Sequence, residues 1–152
     1  MFMFRFVFIF FYFSISSQEL IETIEIDGSN LPDSQGTIIE GERLFLNYCS
    51  NCHGNSGEGR IGPELVGRSQ LLGDKVSKTI GNYWPYAPKI FDYIKRVKRS
   101  GRDEYFSNSQ VYSLTGFLLR ENGLFNDENI NKEKLSKIKM PNRDGFIVEY
   151  HY

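Results

Sequence analysis

The segment Cys49-Ser50-Asn51-Cys52-His53 holds residue types at a spacing that can do chemistry. Cysteines at i and i+3 of a helical turn point to the same side. Both sulfurs can then add to the two vinyl groups on one porphyrin edge, and His53 is carried beneath the iron. C-x-x-C-H is the attachment spacing of c-type haem, and neutral imidazole is a good ligand for haem iron. Three other readings use the same residues. A structural zinc site needs four ligands, and only Cys49, Cys52, His53 and the distant His151 readily supply them. A thioredoxin-like redox pair needs a strand–turn–helix context, whereas the residues before Cys49 read as helix. Coincidence is the third.

An attached haem needs a second axial ligand or leaves that position open. Met1 and Met3 fall in the N-terminal leader, so Met140 is the remaining methionine, and His151 is the other histidine. A lone Met is ordinarily core packing. Met140, however, lies in the turn Met140–Gly145 beside Pro141, which fixes its own backbone φ. Met140 is therefore the expected second ligand, with His151 or an open position as alternatives. Met/His ligation raises the reduction potential.

The elements that must position these groups are mostly helical. Thr37 to about Cys49 has Leu44 and Tyr48 on one face and Gly41, Phe45 and Cys49 on another. Gly54–Gly73 is Gly-rich and without pattern, a loop. Pro88–Ser100 reads as a helix with Ile90, Phe91, Ile94 and Val97 on one side and a basic last turn stopped by Gly101. Ser107-Asn108-Ser109-Gln110 fits a capping box, followed by the apolar stripe Val111, Leu114, Phe117 and Leu118 and a stop at Gly123. Glu128–Ile138 reads as a short helix. The expected fold is all-α, three to five helices with long loops wrapped round one haem.

The chain has 152 residues, 40% hydrophobic, 24% charged and 15% aromatic, as suits one domain with a modest core. Its net charge of −1 and lack of a long basic stripe argue against nucleic acid. Met1–Phe13 carries one charge, Arg5, then an apolar run and Ser14–Ser17. This describes a secretory signal peptide over residues 1–17, cleaved after Ser16 or Ser17. The alternative is an uncleaved anchor, although the apolar run is shorter than the ~20 residues of a spanning helix. Cleavage would leave no stable membrane insertion and an exported, periplasmic protein. Residues 18–36 read as an N-terminal extension, with Ile21, Ile24 and Ile26 available to dock it.

Gly41-x-x-x-Phe45-x-x-x-Cys49-x-x-Cys52-His53 resembles the N-terminal helix of class I cytochromes c, which would make residues 37–152 a cytochrome c domain. The resemblance implies that Gly41 admits a close crossing by the Ser107–Glu121 helix, with Phe117 as the contact. Gly62-Pro63-Glu64-Leu65 is similar to the family's loop, where the Pro carbonyl accepts the histidine Nδ1–H and the Leu packs on the haem. Pro63 would then orient His53, and Leu65 would wall the pocket. Gly81–Ala87, running into Ile90–Ile94, and Lys139–Phe146 resemble the cytochrome c subunit of bacterial sulfite or sulfur dehydrogenases, including the Sox sulfur-oxidation system. Two departures stand out. Met140 follows the helix equated with the family's C-terminal helix, where class I cytochromes usually place the ligand before it. Lys98-Arg99-Ser100-Gly101 occupies the place of a methionine–proline pair.

The resemblance implies an electron-transfer subunit, with a molybdopterin sulfite-oxidising subunit as donor and another cytochrome c or a terminal oxidase as acceptor. Trp84, Tyr83 and Tyr86 are candidates for haem propionate contacts or plain core. Arg143 either pairs with a propionate or braces its turn. The Lys95–Arg102 charge run is a solvated helix face or a docking patch. Two other functions remain: a free periplasmic shuttle with a different donor, and a haem-based ligand sensor.

Overall fold

The computed structural model describes residues 22–73 and 76–145. The leader, Ile21, Phe146 and His151 lie outside the described residues. The elements run β1 (Gln35–Thr37), α1 (Ile38–Tyr48), α2 (Ser50–His53), α3 (Ala87–Lys95), α4 (Asn108–Glu121), β2 (Asn129–Asn131) and α5 (Lys132–Ser136).

α1 starts where its sequence supplies a cap. Thr37 is extended, and its hydroxyl accepts the amide of Glu40. The helix buries Ile38, Gly41, Leu44 and Phe45. α4 starts at a full capping box: Ser107 Oγ accepts Gln110 N–H, and the Gln110 side chain accepts Ser107 N–H. Residues 111–119 of α4 are all buried, so this helix is the centre of the core. It crosses α1 at Gly41, where a Cβ would stand 2.7 Å from Phe117 Cβ and closer still to the Ser113 carbonyl. Only a residue without a Cβ permits that approach. Phe45 and Phe117 meet there with ring centroids 5.2 Å apart, a pairing worth roughly 0.5–1.5 kcal/mol beyond area burial.

Three segments differ from the expectation. α3 ends at Lys95, not at Ser100. Beyond it the chain turns, Lys98 bridges Tyr105, and Arg99 N donates to Glu104 O at 2.9 Å. The basic run therefore forms a small hairpin and not a last helical turn. Residues 128–138 are not one helix: β2 pairs antiparallel with β1, with Gly36 opposite Ile130, before α5 begins. The fold is thus mostly helical with one two-stranded sheet.

The extension is part of the body. Ile24 and Leu31 are both buried in the main core. The carboxylate of Asp92 accepts Ile24 N–H at 3.1 Å, Lys89 Nζ at 2.8 Å and Arg96 Nη2 at 2.8 Å. No helix among the described residues is long and apolar enough to cross a membrane.

Candidate functional site

α1 runs directly into α2, and this junction carries the motif. Cys49 N donates to Phe45 O, and His53 N donates to Cys49 O at 3.0 Å, so the helical turn continues through the cysteines. Cys49 is half-buried and Cys52 exposed, and both are free. Burial, and secondarily the neighbouring Cys52, pushes the Cys49 thiol up to about 11. A nucleophilic redox cysteine needs the opposite shift, so the thioredoxin-like reading gains nothing. No group of three or more His, Cys, Asp or Glu among the described residues is placed to hold a metal ion; His151, the fourth ligand of the zinc reading, lies outside them.

His53 is held by the loop that follows it. Its Nδ1–H donates to the Pro63 carbonyl at 2.7 Å, which leaves Nε2 as the ring atom able to ligate. Gly62 N donates to Cys52 O at 2.8 Å, and Gly59 N to His53 O at 2.7 Å. The loop passes close over the imidazole, because a Cβ at Gly62 would stand 2.9 Å from His53 Cε1. Two buried asparagines fix what comes next. Asn122 accepts Gly67 N–H at 3.0 Å and donates to Leu65 O at 3.2 Å and Leu118 O at 2.8 Å. Asn82 accepts Thr79 N–H at 2.8 Å and donates to the Ser69 and Ser77 carbonyls, each at 3.0 Å.

These elements enclose a cavity of about 510 Å³, within the range of cofactor sites. Cys49, His53, Pro63, Leu65, Tyr83 and Trp84 line it. The rest of the wall includes Phe45, Ile80, Ile90, Ile94, Phe106, Leu114 and Leu118. An apolar slot with one thiol and one oriented imidazole in its wall fits a flat hydrophobic ring carrying an iron and held by a thioether. Trp84 meets Tyr93 edge-on at 5.7 Å, and Tyr93 is 61% exposed at the same cavity.

Other residues singled out from the sequence stand elsewhere. Met140 is 3% exposed and belongs to the main core, but it does not line the cavity. Its turn is stitched to the Tyr83–Tyr86 segment: Lys139 bridges Tyr86, and Asn142 Nδ2 donates to Tyr83 O at 2.7 Å. Arg143 is exposed and lies over the Tyr86 ring at 5.0 Å, and neither residue lines the cavity. Ile80 and Phe106 escaped the sequence reading as wall residues. Each lies in a loop, where no periodicity marks the inward side.

The helices, their crossing and this cavity define a small cytochrome c-like fold. A chain in the crystal structure of the sulfane dehydrogenase SoxCD from Paracoccus pantotrophus is similar to this one, with a TM-score of 0.76 and 35% sequence identity. The match covers 84% of this chain and 64% of that one, so this chain spans just under two thirds of that relative's length. No protein-family model matches the chain, and no curated protein does.

Proposed function

We propose that the chain is an exported monohaem c-type cytochrome, the electron-accepting subunit of a molybdenum-containing enzyme that oxidises sulfite or a related reduced-sulfur compound. The observation that supports haem binding most directly is the His53 Nδ1–H···O=C Pro63 bond at 2.7 Å, beside Cys49 in an apolar cavity. Similarity to a chain of a sulfane dehydrogenase supports the sulfur chemistry and the partner.

Each residue has a stated task in this reading. Cys49 and Cys52 would hold the ring as thioethers. His53 would ligate through Nε2, its tautomer fixed by Pro63. Leu65 would exclude water from one face. Trp84 and Tyr83 would donate to propionates at the cavity wall. Met140, already buried and tied to the Tyr83–Tyr86 segment, is the proposed second axial ligand. The iron would supply one-electron chemistry, and electrons would leave to another cytochrome c or a terminal oxidase. The test is stopped-flow reduction of the oxidised protein by its molybdenum partner plus sulfite. Reduction on the turnover timescale is expected, and its absence contradicts the proposal.

One observation favours a second reading, a haem module that binds a small ligand. No methionine and no second histidine line the cavity among the described residues. Carbon monoxide binding to the reduced protein at low concentration would support it, and inertness to CO excludes it.

A further inference from the structure

Among the described residues, Nε of Arg99 is the one buried side-chain polar atom without a hydrogen-bond partner. Its guanidinium sits 5.2 Å from the Phe106 ring and 5.9 Å from the Tyr48 ring. Those two rings meet edge-on at 5.6 Å. Tyr48 precedes the haem-attachment cysteine, and Phe106 lines the cavity. The remaining nitrogens are held at the hairpin and the α4 cap. Nη1 pairs with Glu104 at 3.2 Å and Nη2 donates to Gln110 at 2.8 Å. The Arg99 side chain is 17% exposed, and that of Glu104 is 58% exposed. Solvent therefore screens the carboxylate far more than the cation. The site has the form of a fixed positive charge stacked on Phe106, a wall residue of the cavity, and on Tyr48 behind it, with its compensating anion facing water.

We propose that Arg99 is a positioning residue that sets the haem's reduction potential, its half-buried charge favouring the reduced state through the Phe106 ring of the cavity wall. This rests on the haem-binding reading above. A reduced haem carries one positive charge fewer, so a nearby cation opposes oxidation. The physical reason is the same that shifts a titratable group beside a like charge. It also gives Lys98-Arg99-Ser100-Gly101 a use in this chain: the turn holds a cation against Phe106.

Spectroelectrochemical titration of the full-length, haem-loaded protein tests it. Arg99→Met keeps the stem that packs on the rings and removes the charge, and its midpoint should fall. The oxidised-to-reduced ratio at fixed poise should change about tenfold, or 59 mV for a one-electron couple. Arg99→Lys should retain most of the wild-type midpoint. Glu104→Gln removes only the solvent-screened partner and should raise the midpoint by less than Arg99→Met lowers it. A midpoint unmoved in an Arg99→Met protein that still carries covalent haem, or moved as far by Glu104→Gln as by Arg99→Met, overturns the role of Arg99 alone. A wild-type chain with no covalent haem overturns the underlying reading as well.

Discussion

The Pro63 carbonyl and Nδ1 of His53 lie 2.7 Å apart, and the neighbour of Pro63 makes that distance attainable. Gly62 has its Cα side turned toward the imidazole, with His53 Nδ1 3.1 Å from where a Cβ would stand. Gly62→Val should push the loop off the ring. The expected cost is about 1–3 kcal/mol in urea unfolding of the haem-loaded protein, typical of overpacking, together with a lower yield of attached haem. Unchanged stability and yield would show that the loop does not bear on His53.

Asn122 ties the end of α4 to the loop bearing Leu65. Asn122→Ala would leave Gly67 N–H without its side-chain partner in a part-buried place, while Leu65 C=O would keep the Ile80 N–H. Such an orphan costs about 1–3 kcal/mol. Denaturant midpoints should fall accordingly, and a change within about 0.5 kcal/mol, the range of ordinary surface substitutions, would contradict the assignment.

How much of this was readable in the chain differs from element to element. α1 and α4 were legible because caps and periodicity agree: Thr37 and Ser107 both cap as their types suggest. Cys49 and His53 of the motif, with Pro63, Leu65 and Trp84, were singled out from the sequence and line the cavity, whereas Cys52 does not. The end of α3 was not legible, because a run of Lys and Arg suits a helix terminus as well as it suits a hairpin. The Lys98–Tyr105 pairing is what decides it. β2 was hidden for a similar reason: its pairing partner is nearly a hundred residues away in sequence at Gln35–Thr37, and local pattern carries no register with a distant strand. Met140 looked like a residue free of the core because it lies in a turn, yet the turn folds under the Tyr83–Tyr86 segment and buries it.

Asp92 makes stability depend on acid. Burial acts to raise its carboxyl, but bonds from Lys89, Ile24 N–H and Arg96 outweigh that and hold it below the usual carboxylate range. A carboxyl depressed in the folded state contributes stability that is fully present above the unfolded value of about 3.9 and is lost as pH falls toward the folded value. Asp92→Asn should therefore be less stable than wild type at pH 6, with the gap narrowing below pH 4. Urea titrations across that window check it. A gap that stays constant with pH would mean the three bonds do not favour the charged form. The loss should begin at the Ile24 arm, which limited proteolysis reads directly.

Met140→Leu separates ligation from packing, since a volume-conserving swap in a core usually costs under about 1.5 kcal/mol. Covalent haem should remain, while the absorption spectrum should move from low spin toward high spin and CO should bind the reduced form. A spectrum that stays low spin would assign the second ligand to another residue.

The most direct measurement is an alkaline pyridine haemochrome spectrum of the full-length protein, co-expressed with a c-type haem attachment system and extracted with acidified acetone. The proposed covalent attachment predicts one haem per chain that resists extraction, and loss of that retained haem in the Cys49→Ala, Cys52→Ala double variant. A chain that comes through with no haem, or whose haem washes out in the acetone, would contradict it.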